Sequence, residues 1–314
     1  TFTNKAADEL KERLERALGE AALDVWASTF HSACARILRR DIEHLGFSRN
    51  FTIYDTSDSQ SLIKRILKDL DIDEKMLPPR SILSEISSAK DYMITAQEYL
   101  EEAEKRNDFR KIAIGQVYSE YVRRLKNANA LDFDDLIFYT VKLLLTNSEV
   151  REYYQTKFKY VLIDEYQDTN NLQYLLASTL AGKWQNICVV GDDDQSIYRF
   201  RGATIKNILD FENQYKNARV IRLEQNYRST GNILDAANAV ISNNTERKGK
   251  RLWTENERGE MLTLYTAEDE TDEAQYVASK ILEGYARGAC WRDFAVLYRM
   301  NAQSNQLEFA FKRN

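Results

Sequence analysis

The chain has 314 residues, 43% hydrophobic and 30% charged, which suits about two domains with buried cores and argues against a disordered chain. Three scattered cysteines and two histidines exclude a disulfide scaffold and a Cys/His zinc site, and they favour a cytoplasmic location. The net charge of −5 excludes a uniformly basic nucleic-acid coat but not a local basic groove, and the longest apolar run, Phe294–Tyr298, is too short to span a bilayer.

With only 11 Gly and 2 Pro, the composition favours long helices over loops. Thr1-Phe2-Thr3 reads as the end of a strand, followed by a helix with Ala7, Leu10, Leu14 and Leu18 on one face and Gly19 at its close. Val25–Ala27 reads as a short strand, Ser28–Ser32 as the turn into a second helix ending at Gly46, and Phe51–Tyr54 as a further strand. Strands alternating with amphipathic helices predict a parallel α/β sheet. From about Ser57 to Ala130 the period is helical throughout, which predicts a helical subdomain inserted into that sheet domain. Strands are expected again at Tyr160–Ile163, Ile187–Val190 and Val220–Leu223, with Cys188 buried as a small hydrophobe. A helix over Thr230–Asn243 and a linker at Glu246–Arg251 follow, its basic cluster 247–251 read as solvated or else as a phosphate contact. Met261–Tyr265, a helix over Glu273–Arg287 and Phe294–Tyr298 then restart an α/β pattern. The expected domains are therefore 1–56 and 131–228 for a first α/β domain, 57–130 for the helical insertion, and 229–314 for an incomplete second α/β domain.

Three segments carry chemistry. In Tyr160-Val161-Leu162-Ile163-Asp164-Glu165-Tyr166-Gln167-Asp168, an apolar strand delivers two adjacent carboxylates to the C-terminal edge of a parallel sheet, where such folds bind ligands. One carboxylate there suits Mg²⁺ and the next can take a proton from an attacking water; a solvated acidic turn is the plainer alternative. In Gly191-Asp192-Asp193-Asp194-Gln195-Ser196-Ile197-Tyr198-Arg199-Phe200-Arg201-Gly202, Gln195 can orient water or sense a terminal phosphate. Its interleaved aromatics and guanidinium groups have the composition of a single-strand stacking platform, or else of an acidic loop before a core aromatic pair. In Leu223-Glu224-Gln225-Asn226-Tyr227-Arg228-Ser229-Thr230, an arginine after a strand edge can reach phosphoryl charge or serve as a surface cation.

Taken in order with Thr1–Ala7, Ser28–Ser32, Leu131-Asp132-Phe133-Asp134-Asp135-Leu136 and Val296–Ser304, these segments resemble the superfamily I DNA helicases of the UvrD/Rep/PcrA type along the whole chain. The resemblance implies an α/β, RecA-like first motor domain, an inserted helical subdomain and the start of a second RecA-like domain. It implies ATP and Mg²⁺ as cofactors, with Asp164 serving the metal and Glu165 as catalytic base. Gln195 would link the γ-phosphate to the DNA site, Tyr227 would stack on adenine and Arg228 would contact the γ-phosphate. Phe2, His31, Tyr198, Phe200 and Arg201 would lie on the single-strand path, with Arg299 and Asn301 meeting DNA from the second motor domain. The implied function is ATP-dependent 3′→5′ translocation on single-stranded DNA with unwinding at single-strand/duplex junctions, in repair or replication alongside proteins of those pathways. Phe200 stands where the family usually has tryptophan, which keeps a stacking face but offers less area. No Gly-x-x-x-x-Gly-Lys-Ser/Thr occurs: Gly182-Lys183 is followed by Trp184 and Gly249-Lys250 by Arg251. In the family that loop precedes the Thr1 segment, so this chain alone is expected to be inactive. A non-catalytic DNA-binding fragment and a subunit of a recombination nuclease stay open as alternatives.

Overall fold

The computed structural model describes residues 1–199, 202–245 and 247–313. The chain divides into two units, described separately: 1–222 with 244–249, and 223–243 with 250–314.

In the first unit, α1 (Asn4–Leu18) starts on the Thr3 side chain and stops at Gly19, whose φ of 58° is costly for any residue with a Cβ. Helix α2 (Phe30–Asp41) is capped by Thr29 and buries Cys34, Ile37 and Leu38. Strand β1 (Thr52–Ile53) pairs in parallel with β2 (Ala130–Leu131), so everything between them leaves and returns at one small sheet. That intervening stretch is helical: α3 (Thr56–Asp69), α4 (Pro79–Asp91), α5 (Ala96–Lys105) and α6 (Phe109–Asn127). Its core joins Ile63, Ile66 and Leu67 of α3 to Ile82 and Ile86 of α4 and Val117, Tyr118 and Tyr121 of α6. Each fully buried aliphatic side chain there stabilises by roughly 1.5–3 kcal/mol.

After β2, α7 (Phe133–Thr146) is the most buried helix, packed against α2, α8 (Ser148–Lys157) and α9 (Asn171–Ala181). Its capping box pairs Asp132 with Asp135, and the same two carboxylates meet Lys90 of α4 at 2.7 Å each. Lys90 is 1% exposed, and its ammonium ties α4 to the start of α7. A second parallel pair joins β3 (Val161–Ile163) to β4 (Ile187–Val189), followed by the short helices α10 (Lys206–Leu209) and α11 (Phe211–Gln214).

The second unit holds α12 (Gly231–Ile241), α13 (Glu270–Ala286) and α14 (Ser304–Arg313), with a small core of Ala274, Ala278 and Ala310 where α13 meets α14. Asn238 Nδ2 donates to the Leu252 carbonyl at 2.8 Å and so anchors the returning chain to α12.

Sequence and structure differ at the strands. Val25–Ala27, Val220–Leu223, Met261–Tyr265 and Phe294–Tyr298 form no ladder among the described residues. An apolar run becomes a strand only when a neighbour takes its backbone N–H and C=O groups. Leu223, Leu264 and Leu297 are instead 80%, 92% and 94% exposed. Even in β3 and β4, Leu162 and Cys188 face outward rather than into a core.

Candidate active site

Strand β3 ends at Ile163 and hands Asp164 and Glu165 to the rim of the β3–β4 pair. Glu165 sits at φ 53°, an uncommon conformation for a non-glycine residue, and opens a turn of 3₁₀ helix over Tyr166–Asp168. Asp164 Oδ1 accepts from the Glu165 amide at 3.0 Å. The neighbouring strand delivers the second loop: Asp192 caps the turn Asp193–Gln195 by accepting from the Asp194 amide at 2.9 Å.

The two loops are wired together by Gln167, whose role the sequence pattern did not signal. It is 1% exposed; its Nε2 donates to Glu165 Oε2 at 2.8 Å and its Oε1 accepts from the Asp192 amide at 2.9 Å. Gln195 Nε2 donates in turn to Asp192 Oδ2 at 2.7 Å. A continuous relay, Glu165–Gln167–Asp192–Gln195, thus spans the rims of both strands. The burial of the Gln167 amide between the exposed Glu165 and the half-buried Asp192 was the clue, and it shows only in three dimensions.

Beside this relay lies a cavity of about 720 Å³ lined by Phe2, His31, Asp134, Glu165, Gln195 and Tyr198 among others. Phe2 packs on Phe30 at 5.5 Å between centroids, and His31 on Phe133 at 5.2 Å. Phe133, itself 55% exposed, lines a second cavity with Tyr54, Arg80 and Asp134. Burial lowers the His31 pKa, with the Asp134 charge opposing, so its imidazole is biased toward the neutral form. Asp168 Oδ1 is buried without a hydrogen-bond partner, and burial, then the Glu165 charge, raises the pKa of that carboxyl. Phe200 and Arg201 lie outside the described residues.

Four candidates belong to the second unit. Tyr227 is 79% exposed with its hydroxyl on Gln225 Oε1 at 2.8 Å. The Arg228 amide donates to Asn226 Oδ1 at 3.0 Å, a turn that leaves its guanidinium in solvent. The Arg299 amide donates to Gln303 Oε1 at 3.0 Å, and Asn301 opens the short 3₁₀ turn Asn301–Gln303; both residues are exposed.

Among the described residues no group of three or more His, Cys, Asp or Glu could hold a metal. No helix among the described residues is long and apolar enough to cross a membrane.

Helices on a small parallel sheet, with carboxylates and a glutamine gathered at one rim, are features of the RecA-like superfamily. The chain belongs to the UvrD/REP helicase family: residues 1–216 match its N-terminal domain, and 221–314 match the UvrD-like helicase C-terminal domain. It is 53% identical over 309 residues to a Bacillus subtilis (strain 168) protein named ATP-dependent DNA helicase PcrA, covering 98% of this chain and 41% of that protein. Proteins of the same name from Staphylococcus epidermidis (strain ATCC 12228) and Staphylococcus aureus (strain NCTC 8325) are 51% identical over 314 residues, covering all of this chain and 43% of theirs. The chain thus spans about two fifths of the length of these relatives.

Proposed function

We propose that this chain forms part of an ATP-driven helicase that translocates 3′→5′ on single-stranded DNA and opens duplex at junctions. The observation that carries the proposal is the Glu165–Gln167–Asp192–Gln195 relay beside a cavity edged with Phe2, His31 and Tyr198. Such a relay can make nucleotide hydrolysis and strand binding sense each other.

In this reading residues 1–56 and 131–228 form one RecA-like motor domain, 57–130 an inserted helical subdomain and 229–314 the beginning of a second motor domain. ATP with Mg²⁺ supplies the reactive phosphoanhydride and the charge that neutralises it. Asp164 holds the ion, and Glu165, oriented by Gln167, takes the proton of the attacking water. Gln195 reads the terminal phosphate, Tyr227 stacks on the base and Arg228 stabilises phosphoryl charge. Phe2, His31, Tyr198, Phe200 and Arg201 stack on or pair with the strand, joined by the exposed Phe133, and Arg299 and Asn301 meet it from the second motor domain. Stacking tolerates any base, so no sequence preference follows. Such DNA work, in repair or replication with proteins of those pathways, belongs in the cytoplasm.

Glu165→Gln in the complete protein tests the reading, because it keeps shape and removes the proton acceptor. ATP turnover should fall by about 10²–10⁴-fold while nucleotide and oligo-dT binding persist. Near-normal turnover would move the base elsewhere, with Asp168 the next candidate.

A further inference from the structure

Residues 244–249 fall inside the stretch that matches the C-terminal helicase domain, yet they pack with the first unit. They do so on the loop that carries Gln195. Arg247 Nε and Nη2 donate to the two oxygens of Asp194 at 2.8 and 2.6 Å, in a pair only 16% and 11% exposed. The Lys248 amide donates to Asp193 Oδ2 at 2.8 Å, and the Lys248 ammonium meets Glu212 Oε2 at 2.5 Å. Arg222 Nη1 donates to the Gly249 carbonyl at 3.2 Å. What reads in sequence as a solvated basic linker is thus a docked arm.

The three consecutive aspartates divide their work. Asp192 bonds Gln195 and the amide of Asp194, while Asp193 and Asp194 accept from the arm. All belong to one short turn, so the arm's contacts bear on the backbone that carries Gln195. A bidentate guanidinium–carboxylate pair fixes orientation as well as distance, which a lysine in the same place would not.

We propose that Arg247 is a positioning residue: its clamp on Asp194 holds the turn that bears Gln195, so that strand binding is felt at the nucleotide. This inference rests on the helicase reading above. The test is Arg247→Ala in the complete protein, measuring phosphate release with and without oligo-dT. Turnover without DNA and DNA affinity by anisotropy should stay within about twofold of the parent. Stimulation by DNA should fall about fivefold or more, in kcat and not in the KM for ATP. Arg247→Lys should recover part of it, and Asp194→Asn combined with Arg247→Ala should be no worse than the worse single variant. Undiminished stimulation in Arg247→Ala would overturn the clamp, as would equal loss with and without DNA accompanied by a lower melting temperature. Absence of DNA-stimulated release in the parent itself would instead overturn the helicase reading beneath it.

Discussion

Lys90→Met keeps the aliphatic stem and deletes one charge from a fully enclosed ionic cluster. The ammonium lies 2.7 Å from Asp132 Oδ2 and 2.7 Å from Asp135 Oδ1, and the Tyr121 hydroxyl donates to Asp132 at 2.9 Å. Burial alone would lower the Lys90 pKa, but Asp132 and Asp135 hold it well above the usual lysine value. One cation against two carboxylates leaves a negative charge in excess: burial, and then the Asp132 charge, push Asp135 up to about 7. Removing one partner of a buried pair costs about 3–5 kcal/mol, because what remains is uncompensated charge. At about 2–4 °C per kcal/mol for a unit of this size, melting should fall by roughly 6–20 °C. The sign with pH follows from the protons. A carboxyl whose folded pKa lies above its unfolded value binds more protons when folded, so its contribution is most favourable in acid and erodes as pH rises towards the folded pKa. Without Lys90 both carboxylates are affected, so the gap between parent and variant should be wider at pH 8 than at pH 5.5. Urea melts followed by circular dichroism at the two pH values measure it. A gap under about 1 kcal/mol at pH 8, or one independent of pH, would refute the reasoning.

Two further outcomes follow from the same geometry. A Cβ at Gly191 would lie 2.6 Å from Gln167 Oε1 and 2.9 Å from Ile208 Cδ1, so Gly191→Ala should displace the Gln167 bridge and cost about 1–3 kcal/mol in a urea melt; an unchanged midpoint would mean the bridge gives way freely. Asp91 is pushed up to about 7 by burial and then by the Asp134 charge, while accepting from Asn170 Nδ2 at 2.6 Å. Asp91→Asn keeps that bond and removes the charge. It should therefore stabilise the fold at pH 8 by about 1–2 kcal/mol after allowance for partial exposure, a gain that shrinks to nothing by about pH 4 in thermal melts; a gain constant across pH would contradict it.

The primary sequence is sufficient for whatever is local. The helices of 56–127 follow from apolar spacing, and their starts follow from the caps Asp55, Thr95 and Asp108, because a cap and its helix lie within four residues of each other. The order of the motifs was likewise enough to indicate the family. Tertiary structure decided the rest. Gln167 becomes the bridge of the candidate site only because Asp192, 25 residues later, returns beside it on a parallel strand. Lys90 finds its partner only because Asp132, 42 residues on, closes over it. Arg247 reads as linker until it folds back 53 residues to Asp194. Conversely, apolar runs such as Phe294–Tyr298 carried the strand signal without the strand, since a ladder needs a neighbour that no single segment contains. Side-chain chemistry is written along the chain, but which donors meet which acceptors is set by how the chain returns on itself.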